Sequence, residues 1–156
     1  MTLLVDYYGI HKDWPGYEQS KRCKEHTQKF STINQATSAE IQRLFPEQNK
    51  GHRFIPYVSM HEIEALYFSD PPCLSEELGV DESEIDMILK KFGEPESIND
   101  HPHTAPSKRL EALSQGRDFK KTTTGLAIAE KIGIKKMRER CSLFDSWLMN
   151  MERLLF

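Results

Sequence analysis

The chain has 156 residues, 38% of them apolar and 29% charged, with a formal net charge of −3. That length suits one domain with a real core, and the mildly acidic balance does not mark a general nucleic-acid binder, although a local basic face is compatible with it. Three cysteines (Cys23, Cys73 and Cys141) without CxxC spacing argue against a disulfide framework or a cysteine zinc site and for a reducing, cytoplasmic setting; no apolar run approaches the roughly 18 residues of a membrane span.

Residues 3–8 read as an apolar strand that ends at Gly9 and delivers Asp6 at its carboxyl end. Only Met1 and Thr2 precede it, so it reads either as an ordinary N-terminal strand or as one whose upstream segment is lacking. Residues 10–17, with Trp14, Pro15, Gly16 and Tyr17, read as an ordered loop. Residues 18–32 are polar and basic, either an exposed helix or a mobile excursion. Ser38 reads as the N-cap of a helix whose stripe is Ala39, Ile41, Leu44 and Phe45.

A second strand is predicted over 54–58, where Pro56 favours an edge or bulged position. A helix follows at about 60–68 and is stopped by Pro71-Pro72. Residues 81–92 form an amphipathic helix, capped by Asp81 or Ser83, with Ile85, Ile88, Leu89 and Phe92 on one face. Further helices are predicted at about 106–114, 123–132, 133–140 and 143–155, punctuated by Gly116 and Gly133. Two strands cannot make a free-standing sheet, so the reading asks for further strands or for pairing with another chain, a homo-oligomer included.

Carboxylates at the carboxyl ends of strands in an open α/β sheet lie where ligands and metals are held, and they suit Mg²⁺ or Mn²⁺. Asp6 and Glu64 are the candidates for such a metal and catalytic pair; the alternatives are a turn or helix cap for Asp6 and a salt bridge to an arginine for Glu64. At 100° per residue Glu62 and Glu64 point about 160° apart and should not share an ion, whereas His61 and Glu64 share a face. His101 and His103 give an HxH spacing beside Asp100, a zinc alternative. Lys108 and Arg109, in the first turn after Pro106, are the candidate nucleic-acid-binding residues, with Lys120, Lys121 and Thr122 to Thr124 as a further phosphate-contacting face. No Walker A loop, GxGxxG, GxSxG or HExxH is present.

Val5 to Gly9, Arg53 to Leu66, Ile98 to Leu110, Gly125 to Gly133 and Cys141 to Leu148 together resemble a bacterial family of uncharacterised Toprim-like proteins, a domain-of-unknown-function group found beside AAA or ABC-type ATPases in phage-defence (abortive-infection) loci. The resemblance implies an α/β fold, a Toprim-like partial parallel sheet with a predominantly helical C-terminal half, over residues 1–156 as a single domain without the family's N-terminal strand. It implies a Mg²⁺-dependent nuclease, or its remnant, in which Asp6 matches the strand-end carboxylate and Glu64 the helical glutamate. The family's first acidic turn has no counterpart here. The expected function is therefore phosphodiester hydrolysis with an ATPase partner; the alternative is a non-catalytic interaction subunit.

Overall fold

Thr2–Asp6 (β1) carries leucine and valine side chains suited to a pleated surface, and Ile55–Ser59 (β2) lies parallel to it. The structure is a computed structural model that describes residues 1–50, 53–98, 103–114 and 119–154. The register runs from Thr2 opposite Ile55 to Asp6 opposite Ser59. Among the described residues this sheet has two strands, and the rest of the regular structure is helical. The expected α/β class is found, with helix dominating.

The chain divides into two units, one of residues 1–60 and 146–156, the other of residues 61–145. In the first, the crossover between the strands is made by Tyr17–Ser20 (α1) and His26–Leu44 (α2). Gly16 opens α1 with a φ of 81°, and a Cβ there would come within 2.6 Å of the Ala36 Cβ, so only glycine lets α1 approach α2 so closely. The core gathers Tyr7, Ile33, Val58 and Met60, with Trp14, Tyr17 and Phe30 against it.

Helix α2 is longer than its apolar pattern predicts, and Ser38 lies inside it rather than at its cap. The reason is that its buried face includes polar residues. Thr37 takes a hydrogen bond from the Trp14 indole (2.8 Å) and gives one to the Ile33 carbonyl (2.8 Å). Asn34 serves β2: its carboxamide oxygen accepts from the Val58 amide (2.8 Å) and its NH₂ donates to the Val58 carbonyl (3.3 Å).

These bonds close an edge of the sheet. The Ile55 amide donates to the Met1 carbonyl, so by the alternation of a strand Pro56 and Val58 turn their backbone groups away from β1. Pro56 has no donor to offer there, and Asn34 imitates a neighbouring strand for Val58. The edge position expected for Pro56 is what the structure shows. Asn34→Ala should cost roughly 2 kcal/mol, because two groups of a buried strand lose their partner. Urea denaturation measures this, and a change below about 0.5 kcal/mol would contradict the edge-closing role.

The second unit surrounds Ile63–Ser69, a 3₁₀ helix of seven residues whose Glu64, Ala65, Leu66, Tyr67, Phe68 and Ser69 are all buried. Against it pack Pro71–Leu78 (α3), Pro106–Leu113 (α5) and Thr124–Arg140 (α6); Glu82–Phe92 (α4) packs on α3. The helical segment ends at Ser69, just before Pro71-Pro72 as predicted, and the same prolines start α3. Proline costs nothing in the first turn, and the Asp70 carboxylate caps the Cys73 amide. The predicted cap of α4 is present, with Asp81 accepting from the Ser83 amide at 2.9 Å. Gly133, at φ 73°, breaks α6 where the sequence places a break. Ser142–Glu152 (α7) begins in the second unit, and its residues from Ser146 onward belong to the first.

Candidate functional site

The segment that follows β2 carries Glu62 and Glu64 into the second unit. Because it winds as a 3₁₀ helix and not as an α-helix, residues three apart eclipse one another, and Glu62 stands just outside as the N-cap residue. The angular argument that kept Glu62 and Glu64 apart therefore does not apply. Both turn toward one cation: the Lys121 ammonium lies 2.7 Å from Glu64 Oε1 and 4.0 Å from Glu62 Oε1.

Glu64 is 3% exposed, so its charge needs this partner. Glu62 is less buried and has a second task. Its Oε2 accepts from the Ser107 amide at 2.8 Å, which places a carboxylate on the N-terminus of α5. That end was expected to attract a phosphate, and Glu62 supplies an anion to it from within the chain. Tyr67, one 3₁₀ turn after Glu64, has its phenol pushed up by burial and then by the Glu64 charge, with Lys121 opposing. Gly125 of α6 sits against that ring; a Cβ there would be 3.1 Å from the Tyr67 hydroxyl.

Asp6 is the last residue of β1, opposite Ser59, as a strand-end carboxylate should be. Its side chain makes no capping hydrogen bond to the 3₁₀ turn Tyr7–Gly9 that follows. Asp6 belongs to the first unit and Glu64 to the second. Lys108 is exposed on α5 and paired with Glu111 at 2.8 Å. Arg109 instead lies over the Phe92 ring, 4.7 Å from its centroid. His103 is exposed, while His101 and Asp100, the other members of the HxH reading, lie outside the described residues.

The donor set around Lys121 is carboxylate oxygen, which fits a hard divalent cation better than zinc. Among the described residues no three His, Cys, Asp or Glu side chains gather on one point. Glu62 and Glu64 would thus be two protein ligands, with water completing the shell, an arrangement Mg²⁺ commonly adopts. Cys141 is no nucleophile: it is fully buried, with its thiol 3.3 Å from the Ser69 hydroxyl, and burial pushes it up to about 12.

Sequence reasoning missed Lys121 as the partner of Glu64, and the Glu62 bond to Ser107. A pairing across 57 residues leaves no local periodicity, although the basic pair Lys120-Lys121 just before a helix was visible as a charged cluster. No helix of the described residues is long and apolar enough to cross a membrane.

No curated protein and no solved structure matches the chain. The strand-end aspartate, the acidic segment after β2 and the helices packed on it instead fall within one family model, DUF4276, which matches residues 1–152; the chain belongs to this family, described as a domain of unknown function.

Proposed function

We propose that this chain is a divalent-cation-dependent nuclease of Toprim-like design that acts with an ATPase partner in cytoplasmic phage defence. One observation carries the catalytic part: Glu62 and Glu64, from one short segment, direct their carboxylates at a single cationic group. The Toprim-like, ATPase and phage-defence parts rest on the motif resemblance.

A bound Mg²⁺ or Mn²⁺ would lower the pKa of a coordinated water and neutralise charge developing on the phosphate. Glu64 and Glu62 are the protein ligands in this reading; the motif resemblance adds Asp6 only as a strand-end carboxylate of the first unit. Lys108 and Arg109 position backbone phosphates, which fixes the substrate without reading its sequence. Lys108 then exchanges Glu111 for a phosphate oxygen.

Calorimetry with Mg²⁺ and Mn²⁺, followed by hydrolysis assays on single-stranded DNA and RNA, tests this. Glu64→Gln and Glu62→Gln should each weaken metal binding by at least about tenfold, the loss that even outer-sphere changes produce at metal sites. A wild-type chain that binds neither ion, or affinities untouched by both variants, would overturn the proposal.

A second reading, a non-catalytic interaction subunit, is favoured by a different fact. Glu64 already has a counter-ion in Lys121, and Glu62 already caps α5. Absent metal binding together with an intact fold supports that reading.

A further inference from the structure

We propose that Lys91, Phe92 and Arg109 form a docking platform for the phosphodiester backbone of nucleic acid. This rests on the nuclease reading, which already gives Arg109 to the phosphates, and extends it to Lys91 and to the Phe92 ring that holds both cations.

Helix α4 ends in Lys90-Lys91-Phe92, and Gly93, at φ 87°, turns the chain away. Two cations meet the Phe92 ring: Arg109 Cζ at 4.7 Å from the centroid and Lys91 Nζ at 5.4 Å. The ring attracts each of them through its quadrupole, but the two charges repel one another.

Elsewhere in the chain, paired cations are common. Lys108 has Glu111, Lys131 has Glu77, Lys21 has Glu18 and Arg43 has Glu40. Among the described residues, neither Lys91 nor Arg109 has a carboxylate partner. Burial alone acts on the Arg109 guanidinium, and it lowers its pKa. The Arg109 Nε is buried and has no acceptor among the described residues, so it is the outer face of the guanidinium that is open to a ligand.

Two cations on one aromatic ring, neither paired with a carboxylate among the described residues, suit an anion from outside the chain. A guanidinium fork matches phosphate oxygens, and an ammonium beside it suits the next phosphate along a strand. The ring holds both cations in place before the ligand arrives, which lowers the ordering cost of binding.

The test is fluorescence anisotropy with a labelled single-stranded oligonucleotide in EDTA, so that no metal is involved. Lys91→Gln and Arg109→Gln should each weaken binding about three- to tenfold. In the double variant the slope of log K against log salt should be shallower by about 1.4, since each phosphate contact on a single strand contributes about 0.7. Lys21→Gln, which removes a paired lysine, should change little. Thermal melts identify a variant that fails to fold; Lys91 is exposed, so Lys91→Gln keeps the test alive if Arg109→Gln does not.

Unchanged affinity and slope in folded variants would overturn the proposal, as would absence of binding by the wild type. So would equal competition by polyglutamate, which would mark the patch as a site for acidic polypeptide. Because the assay contains no metal, its failure leaves the Mg²⁺ calorimetry standing, and failure of that calorimetry leaves this result standing.

Discussion

Glu96→Ala is expected to lower the stability of the protein by about 3 kcal/mol, from the loss of two charge-assisted hydrogen bonds and the exposure of no compensating group. Glu96 lies in the short 3₁₀ turn Pro95–Ser97 and is 3% exposed. Its two oxygens accept from the Leu143 and Phe144 amides at 2.8 and 2.9 Å. Those amides belong to the first turn of α7, whose donors have no partner within the helix.

The residue before α7 is Cys141, a poor cap because a thiol accepts weakly, and its thiol is engaged with the Ser69 hydroxyl. A carboxylate from 47 residues away does the capping instead, and its negative charge suits the helix N-terminus. Glu96→Gln keeps one carbonyl acceptor and should lose about 2 kcal/mol. Urea unfolding followed by circular dichroism measures both. A Glu96→Ala protein within about 0.5 kcal/mol of wild type would show that α7 does not depend on this cap. Since domains have only about 5–15 kcal/mol in hand, the expected loss is a large share of the total.

Lys121→Met should cost about 2 to 3 kcal/mol in the absence of divalent ions. It leaves Glu64 buried without its counter-ion, the change that makes broken buried pairs expensive. The figure stays at the low end because the Lys121 side chain is 54% exposed and water screens part of the interaction. Glu64→Gln in the same background should recover much of the loss, because it removes the stranded charge. A double-mutant cycle on Lys121 and Glu64 reads this coupling directly.

The same variant bears on function. If the carboxylates hold a cation in the working protein, millimolar Mg²⁺ should raise the melting temperature of Lys121→Met more than that of wild type, by the linkage of binding to folding. Equal shifts in the two proteins would mean that the ammonium is a structural counter-ion and that the metal reading of Glu64 fails.

Much of this was legible where chemistry is local. Asp6 at a strand end, Pro56 on an edge, the Asp81 cap and the Gly133 break each follow from the backbone preferences of one or two residues, and each is found. The misses share a cause. Helix α2 was cut short because Asn34 and Thr37 turn inward, and their hydrogen-bond partners, Val58 and Trp14, are far away in sequence. At Pro71-Pro72 the end of the preceding helix is found, but the start of α3 is not read, because a proline pair both ends one helix and suits the first turn of the next; Asp70 in front of it is the signal for the second.

What the sequence determined by itself was the α/β class, the strand that carries Asp6 and the acidic segment that carries Glu62 and Glu64, because strand propensity, turn chemistry and short-range periodicity act within a few residues. Only the tertiary structure decided what each carboxylate touches. Lys121 for Glu64, the α5 amide for Glu62 and the α7 amides for Glu96 are partners 45 to 57 residues away. A buried charge takes whichever donor the packed chain brings to it, and that choice is made by the meeting of elements, not by the residues beside it.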